Sequence, residues 1–251
     1  MSKTSKFYIL TYHSIDESGS VISVAPAMFR RQMEHLYNAG FRTVTLRQAQ
    51  LALSGGESIG ERTIVLTFDD GFHNFYTDAF PILSEFGFRA TVFLVTDRCG
   101  KENDWSDHGV AIPKAPLMSW NEIRELHSAG VEFGSHTETH CDLTTVTPEQ
   151  VEAELVRSKG KISDHLGCET TSFAYPYGSF DRKIQRSVSA NYQAACSTNL
   201  GSVSAGSDPS ALRRIDAHYL KNRTALERLG SKSFDGYIGV RQVGRRIRSF
   251  L

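Results

Sequence analysis

Four times along this chain a glycine stands between a helical pattern and a β-branched or aromatic run: NAGFRTVTL, EFGFRATVFLV, SAGVEFGSH and HLGCETTSFAYP. A glycine just past a helix adopts the left-handed C-cap conformation without a Cβ penalty, and the chain can then re-enter a strand. Between these points the helices are legible. Phe29, Met33, Leu36 and Tyr37 fall at helical spacing within 26–39. Thr147, Pro148 and Gln150 supply a cap, a first-turn proline and a capping-box partner for a helix over 147–165. Strands are expected near 7–12, 42–44, 63–67, 90–95, 131–134, 171–175, 192–196 and 213–217. Strands alternating with helices imply parallel strands joined by crossovers. In a chain of 251 residues this pattern predicts an α/β fold, a distorted (β/α) barrel of about seven parallel strands. It is expected to be a single domain over 1–251, with a basic helical tail over 236–251.

Composition removes several function classes. With 28 basic and 28 acidic residues the net charge is zero, so no bulk attraction to nucleic acid is expected. No apolar run approaches the ~20 residues of a membrane span. The opening MSKTSKFYIL is too short and strand-like for a secretion signal. Cys99, Cys141, Cys168 and Cys196 show no CxxC pairing and read as free thiols, so a cytoplasmic location is expected. The tail YIGVRQVGRRIRSFL reads as a helix packed on the barrel, with contact to a membrane surface as the alternative. Oligomeric state is not legible.

In a parallel barrel the site lies at the C-terminal ends of the strands. TIVLTFDDG delivers Asp69 and Asp70 there, VEFGSHTETH delivers His136 and His140, and SFAYPYG delivers Pro176, Tyr177 and Gly178. YILTYH adds His13, and LRRIDAH adds Arg214, Asp216 and His218. Adjacent carboxylates after a buried strand are costly unless their charge is compensated. A divalent cation does this, and histidines four residues apart can share one when their segment turns helically. Alone, the histidine pair would be a surface pair and Asp-Asp a turn or cap. Their convergence on one rim points to a metal site with positions open for water and substrate.

TFDDG (67–71), SHTETH (135–140) and FAYPYG (173–178) resemble the first three motifs of the polysaccharide deacetylases, the carbohydrate esterase group that includes chitin and peptidoglycan deacetylases. The resemblance runs from YILTYH to LRRID. It implies a distorted (β/α) barrel and metal-dependent removal of acetyl groups from N-acetylated sugars. It assigns the metal to Asp70, His136 and His140, the metal being usually zinc, with cobalt, nickel or manganese as alternatives. It makes Asp69 the general base, and gives the oxyanion the backbone N–H of Tyr177, just beyond Pro176.

Two departures from the family pattern matter. Many relatives carry an acid histidine on a late strand after a leucine. Here Leu10-Thr11-Tyr12-His13 has that form at the front instead, similar to exopolysaccharide deacetylases with an N-terminal YH. The first strand of a barrel can sit beside its last. His13 is therefore expected to be the general acid and Leu10 to wall the acetate methyl pocket, with His218 as the rival acid. The second departure is Ala174, where the family has an arginine. Residues two apart on a strand share a face, so Arg214 is expected to supply the missing cation beside Asp69, and Asp216 to hold and charge His13.

His35, His127 and His165 lie in helical patterns and read as surface groups. His73 reads as capping or lining the helix after TFDDGF. Trp105 and Trp120 read either as sugar-stacking or as packing residues. The stretch 97–117, with Asp104, Trp105, Asp107 and His108, reads as a long loop over one end of the barrel. The expected function is N-deacetylation of N-acetylhexosamine units in a glycan or its precursor. A metal-dependent amidohydrolase of small non-sugar amides and a catalytically silent carbohydrate-binding protein are the alternatives.

Overall fold

The structure is a computed structural model and describes residues 6–55, 59–105 and 112–248. Its strands are β1 (Tyr8–Tyr12), β2 (Arg42–Val44), β3 (Thr63–Phe68), β4 (Thr91–Leu94), β5 (Glu132–Ser135), β6 (Ser172–Ala174), β7 (Ala194–Leu200) and β8 (Leu212–Asp216). The helices are α1 (Pro26–Asn38), α2 (Leu46–Gly55), α3 (Phe80–Glu85), α4 (Trp120–Ser128), α5 (Pro148–Leu166), α6 (Arg182–Asn191), α7 (Arg223–Glu227) and α8 (Lys232–Arg248). Each expected strand overlaps an observed one.

All strand pairs are parallel, and β1 joins β8 on one side and β3 on the other, closing a seven-stranded barrel. The distortion lies at β3. One of its edges is taken by β1 over its whole length, Tyr8 against Ile64 through Tyr12 against Phe68. The other edge is shared. β2 pairs with Thr63, Ile64 and Val65, and β4 takes over at Thr67 and Phe68. So β2 is an extra strand wedged at the N-terminal end. From it α2 folds beneath the barrel, Leu46 and Ala49 packing with Phe7, Ile9, Val65, Phe93, Cys196 and Leu212. The start of α2 is fastened there, the Leu46 N–H donating to Thr91 Oγ1 at 2.9 Å and the Arg47 N–H to Glu132 Oε2 at 2.9 Å.

Strand parity decides what faces the site. Ile9 and Val65 belong to the interior cluster, whereas Tyr8, Leu10, Tyr12, Ile64, Leu66 and Phe68 belong to the outer layer with Phe29, Met33 and Leu36 of α1. Burying each such aromatic or aliphatic side chain contributes about 1.5–3 kcal/mol. Going up the barrel, the inward positions become Thr11 and Thr67, whose hydroxyls lie 3.2 Å apart. The next inward steps are His13 and Asp69. Leu10 is therefore a correction: one residue out of phase with His13, it faces the helices and does not wall a pocket at the site.

The expected helix signals are present at α5, where Thr147 and Gln150 form the capping box, Pro148 opens the helix and Gly167 closes it at φ 66°. On α1 the buried face is Phe29, Gln32, Met33 and Leu36. Tyr37, expected in that face, is exposed, and Gln32 takes its place by accepting from the Tyr12 hydroxyl at 3.0 Å and donating to the Leu220 carbonyl at 3.2 Å. A buried amide with both ends paired carries little penalty.

Candidate metal-dependent active site

β3 ends in Asp69 and Asp70, and the chain then turns sharply, with Asp70 at φ 72° and Gly71 at φ 76°. A Cβ on Gly71 would lie 2.9 Å from Leu94 Cδ2, so the glycine answers both a positive φ and a close approach. After β5 the segment bearing His136 and His140 is not the helical turn expected from their spacing. Thr137 (φ 68°) and His140 (φ 64°) are both left-handed. Glu154 of α5 holds this turn, accepting from the Glu138 and Thr139 N–H groups at 2.8 and 3.0 Å and from the Thr139 hydroxyl at 2.8 Å. Sequence reasoning missed Glu154, which lies on a helix and looks like any surface glutamate. Left-handed conformations at Asp70, His140 and Tyr177 (φ 59°) concentrate backbone strain at one rim.

Asp70, His136 and His140 are all buried and present ligand atoms within 4.8 Å of one another. Asp70 Oδ1 lies 3.5 Å from His136 Nε2 and 3.3 Å from His140 Nε2. His136 Nδ1 is 2.8 Å from the Ala174 carbonyl, which can only accept, so Nδ1 carries the hydrogen and Nε2 presents a lone pair. Burial, reinforced by the charge His140 would carry, pushes the His136 pKa down to about 4 against the pull of Asp69 and Asp70. His140 Nδ1 contacts the Tyr177 hydroxyl at 3.0 Å. Its ring is stacked by Trp105 at 4.4 Å and met edge-on by Tyr177 at 4.7 Å. Asp70 Oδ1 is buried with no hydrogen-bond partner. An unsatisfied carboxylate oxygen facing two imidazole nitrogens is expensive with nothing between them. One carboxylate and two imidazoles form a donor set that suits zinc and its divalent neighbours.

Asp69 lies beside this cluster. Arg214 Nη1 and Nη2 donate to its two oxygens at 2.7 and 2.8 Å, while Arg214 Nε donates to the Ser197 carbonyl at 3.0 Å. Burial alone would raise the Asp69 pKa. The charge of Arg214, then those of His13 and His136, outweigh burial and hold the carboxylate well below its usual range. Arg214 thus occupies the position of compensating cation, and Ala174 instead contributes its carbonyl to His136. His13 Nε2 is 3.7 Å from Asp69 Oδ2 with its side chain 23% exposed, at the open side of the site. The hydrogen bond made by Asp216 is to the His218 N–H at 2.7 Å, capping the turn after β8. The carboxylate beside His13 is Asp69. His218 is exposed, its ring edge-on to Tyr219 at 5.7 Å. Pro176, Tyr177 and Gly178 form a tight turn after β6, and a Cβ on Gly178 would lie 2.0 Å from Thr198 Oγ1.

The remaining candidates are placed as follows. His73 Nε2 meets Glu122 at 2.9 Å, and Trp120 stacks on His165 at 3.9 Å. His127 Nε2 lies 3.8 Å from Cys168 Sγ, and His35 is half-buried on α1. Asp104 pairs with Arg98 at 2.9 Å. Asp107 and His108 lie outside the described residues. On the described residues to either side, the Leu117 N–H donates to the Lys101 carbonyl and the Met118 N–H to the Gly71 carbonyl, beside TFDDG. The four cysteines are unpaired. Among the described residues, no helix is long and apolar enough to cross a membrane.

The profile of the polysaccharide deacetylase family matches residues 56–195, more than half of the sequence and both metal-ligand motifs. The chain belongs to the polysaccharide deacetylase family. YxkH of Bacillus subtilis (strain 168) is 29% identical over 214 residues, covering 85% of this deacetylase-family chain and 72% of YxkH. The poly-β-1,6-N-acetyl-D-glucosamine N-deacetylase of Escherichia coli (strain K12) is 30% identical over 139 residues, covering 52% of this chain and 20% of the E. coli protein. Among solved structures, the Streptococcus pyogenes deacetylase PplD in complex with acetate superposes at TM-score 0.75 and 27% identity, over 85% of this chain and 92% of PplD.

Proposed function

We propose that this protein is a metal-dependent N-deacetylase that hydrolyses the acetamido group of N-acetylhexosamine units in a glycan. The observation that carries this reading is the unsatisfied Asp70 Oδ1 facing two imidazole Nε2 atoms, next to a second aspartate held by a buried arginine. Asp70, His136 and His140 would hold a divalent cation, zinc being the first choice. When bound, the cation supplies a Lewis acid for the carbonyl and lowers the pKa of water.

The chain's own groups account for the other needs of amide hydrolysis. Asp69, kept ionised by Arg214, is the base that takes the proton of the attacking water. The Tyr177 N–H, fixed in a turn that needs no rearrangement, donates to the developing oxyanion. His13, on the exposed side of Asp69, protonates the departing amine. Asp216 is assigned to the turn after β8, from which it adds negative charge near the mouth. Trp105, packed on His140, lines the approach to the site.

The substrate class rests on likeness. The E. coli relative acts on an N-acetylglucosamine polymer and PplD is held with acetate, the product that an N-deacetylase releases. The test is to incubate the metal-loaded protein with N-acetylglucosamine oligomers and with small non-sugar amides. Equal amounts of acetate and free amine from the oligomers support the reading. Turnover of the small amides alone would replace it with an amidohydrolase.

A further inference from the structure

His13 stands just past the end of its strand. β1 ends at Tyr12, whose carbonyl accepts the Asp69 N–H at 3.0 Å. Ser14 and Ile15 follow His13 and are both buried, so their polar groups lie away from water. On one side this segment is held by its own return at 22–24. The Ser14 N–H donates to the Ile22 carbonyl at 3.3 Å, and the Val24 N–H to the Ser14 carbonyl at 3.0 Å. On the other side the tie is a side chain. Asn74 Oδ1 accepts from the Ile15 N–H at 3.1 Å, and Asn74 Nδ2 donates to Ser14 Oγ at 2.7 Å. Ser14 Oγ in turn donates to Asp16 Oδ2, to which Ser23 Oγ also donates at 3.1 Å.

Asn74 follows Asp70 by four residues and opens the π-helical stretch Phe75–Ala79. An asparagine at a helix start ordinarily spends its side-chain oxygen on an N–H of that helix. Asn74 makes no such cap, and both ends of its amide go across the rim to the two residues after His13. The orientation of the amide is forced. The Ile15 N–H can only donate, and Ser14 Oγ has given its hydrogen to the Asp16 carboxylate. The segment that carries Asp69 and Asp70 is thereby tied to the segment that carries His13.

We propose that Asn74 is a positioning residue, setting the place from which His13 delivers a proton to the departing amine. This rests on His13 being the general acid, as read above. Proton delivery needs the donor within about 2.6–3.2 Å of the leaving nitrogen. The His13 ring is partly exposed, with Nε2 3.7 Å from Asp69 Oδ2, and its backbone fixes where it starts from. A misplacement of about 1 Å at such a group costs on the order of 10²-fold in rate. An asparagine that only stabilised the loop would slow every substrate alike. One that places the acid slows the substrates that need a proton.

The test compares N-acetylglucosamine oligomers with an aryl acetate, using metal-loaded wild type, Asn74→Ala, His13→Ala and the double variant. Asn74→Ala should lose about 10²-fold in kcat on the oligomers and far less on the aryl acetate. The double variant should be no slower on the oligomers than His13→Ala, because a positioning effect vanishes with the group it positions. In amide hydrogen exchange, the Ile15 N–H should exchange faster in Asn74→Ala while the amides of β1 keep their wild-type protection. Should Asn74→Ala fail to fold, Asn74→Asp keeps the acceptor for Ile15 and should show the same selective loss at smaller size. Equal loss on both substrates, additive loss in the double variant, or unchanged exchange at Ile15 would overturn the proposal. A selective oligomer defect in His13→Ala beside a wild-type Asn74→Ala removes this proposal alone. His13→Ala without that defect removes the acid assignment itself, and the proposal with it.

Discussion

Arg214 grips Asp69 with two parallel contacts, at 2.7 and 2.8 Å, although the residues stand 145 positions apart in the chain. The barrel makes the meeting possible. β1 pairs with both β3 and β8, so the inward faces of the strands carrying Asp69 and Arg214 are separated by one strand only. Both side chains are nearly fully buried, at 4% and 3% exposure. Leaving one member of such a pair alone is costly.

Arg214→Ala is therefore expected to lower stability by about 3–5 kcal/mol, read from denaturant unfolding. It should also move the acid limb of kcat/KM. Asp69 acts only as the carboxylate, and its folded pKa is depressed mainly by the charge of Arg214 acting against burial. Without that charge the pKa rises, so activity is lost at a higher pH than in the wild type. An unmoved acid limb would mean that Arg214 does not govern Asp69.

Asp69→Asn should retain the divalent cation, because Asp70 and the two histidines supply the donors. It should lose about 10²–10⁴-fold in kcat, the usual contribution of a positioned base. Metal content by elemental analysis and acetate release measure the two halves separately. Near-wild-type turnover would assign the proton to another group.

His13→Ala separates leaving groups. An amine departs only after protonation, whereas an aryl oxide departs without it. The variant should lose about 10²–10⁴-fold on N-acetyl substrates and far less on an aryl acetate. The exposed His218→Ala should behave as wild type in the same comparison. A selective amide defect in His218→Ala with a normal His13→Ala would reverse the assignment.

Tyr177→Phe removes the hydroxyl against His140 Nδ1 and keeps the backbone N–H assigned to the oxyanion. Outer partners of a ligating histidine typically account for 10- to 100-fold in metal affinity. Calorimetric titration of the metal-free variant with zinc should show a loss of about that size, with kcat at saturating zinc much less affected. Equal affinity would make the Tyr177–His140 contact incidental.

Much of this site was legible before folding. Glycines at helix ends marked where strands begin, and the residue following each apolar run marked what arrives at the rim. Period-two parity placed Arg214 on the inward face and made it a candidate partner for Asp69. The same rule, applied to Leu10, should have excluded it, since Leu10 and His13 stand three apart on one strand. Leu10 came instead from the family pattern, and the alternation of β1 overrode it. Glu154 was illegible because its significance depends on where α5 crosses the left-handed turn at 137–140. The wedge of β2 under β4 was equally hidden, because a register shared along one edge leaves no periodic trace.

The most direct measurement is acetate release from N-acetylglucosamine oligomers before chelation, after chelation and after stoichiometric zinc or cobalt is returned. The predicted result is release that disappears with the metal and recovers with one cation per chain. Neither loss nor recovery should occur in an Asp70→Ala/His136→Ala protein, which should be inactive throughout. Acetate released at an undiminished rate after chelation, or by that double variant, would contradict a deacetylase built on Asp70, His136 and His140.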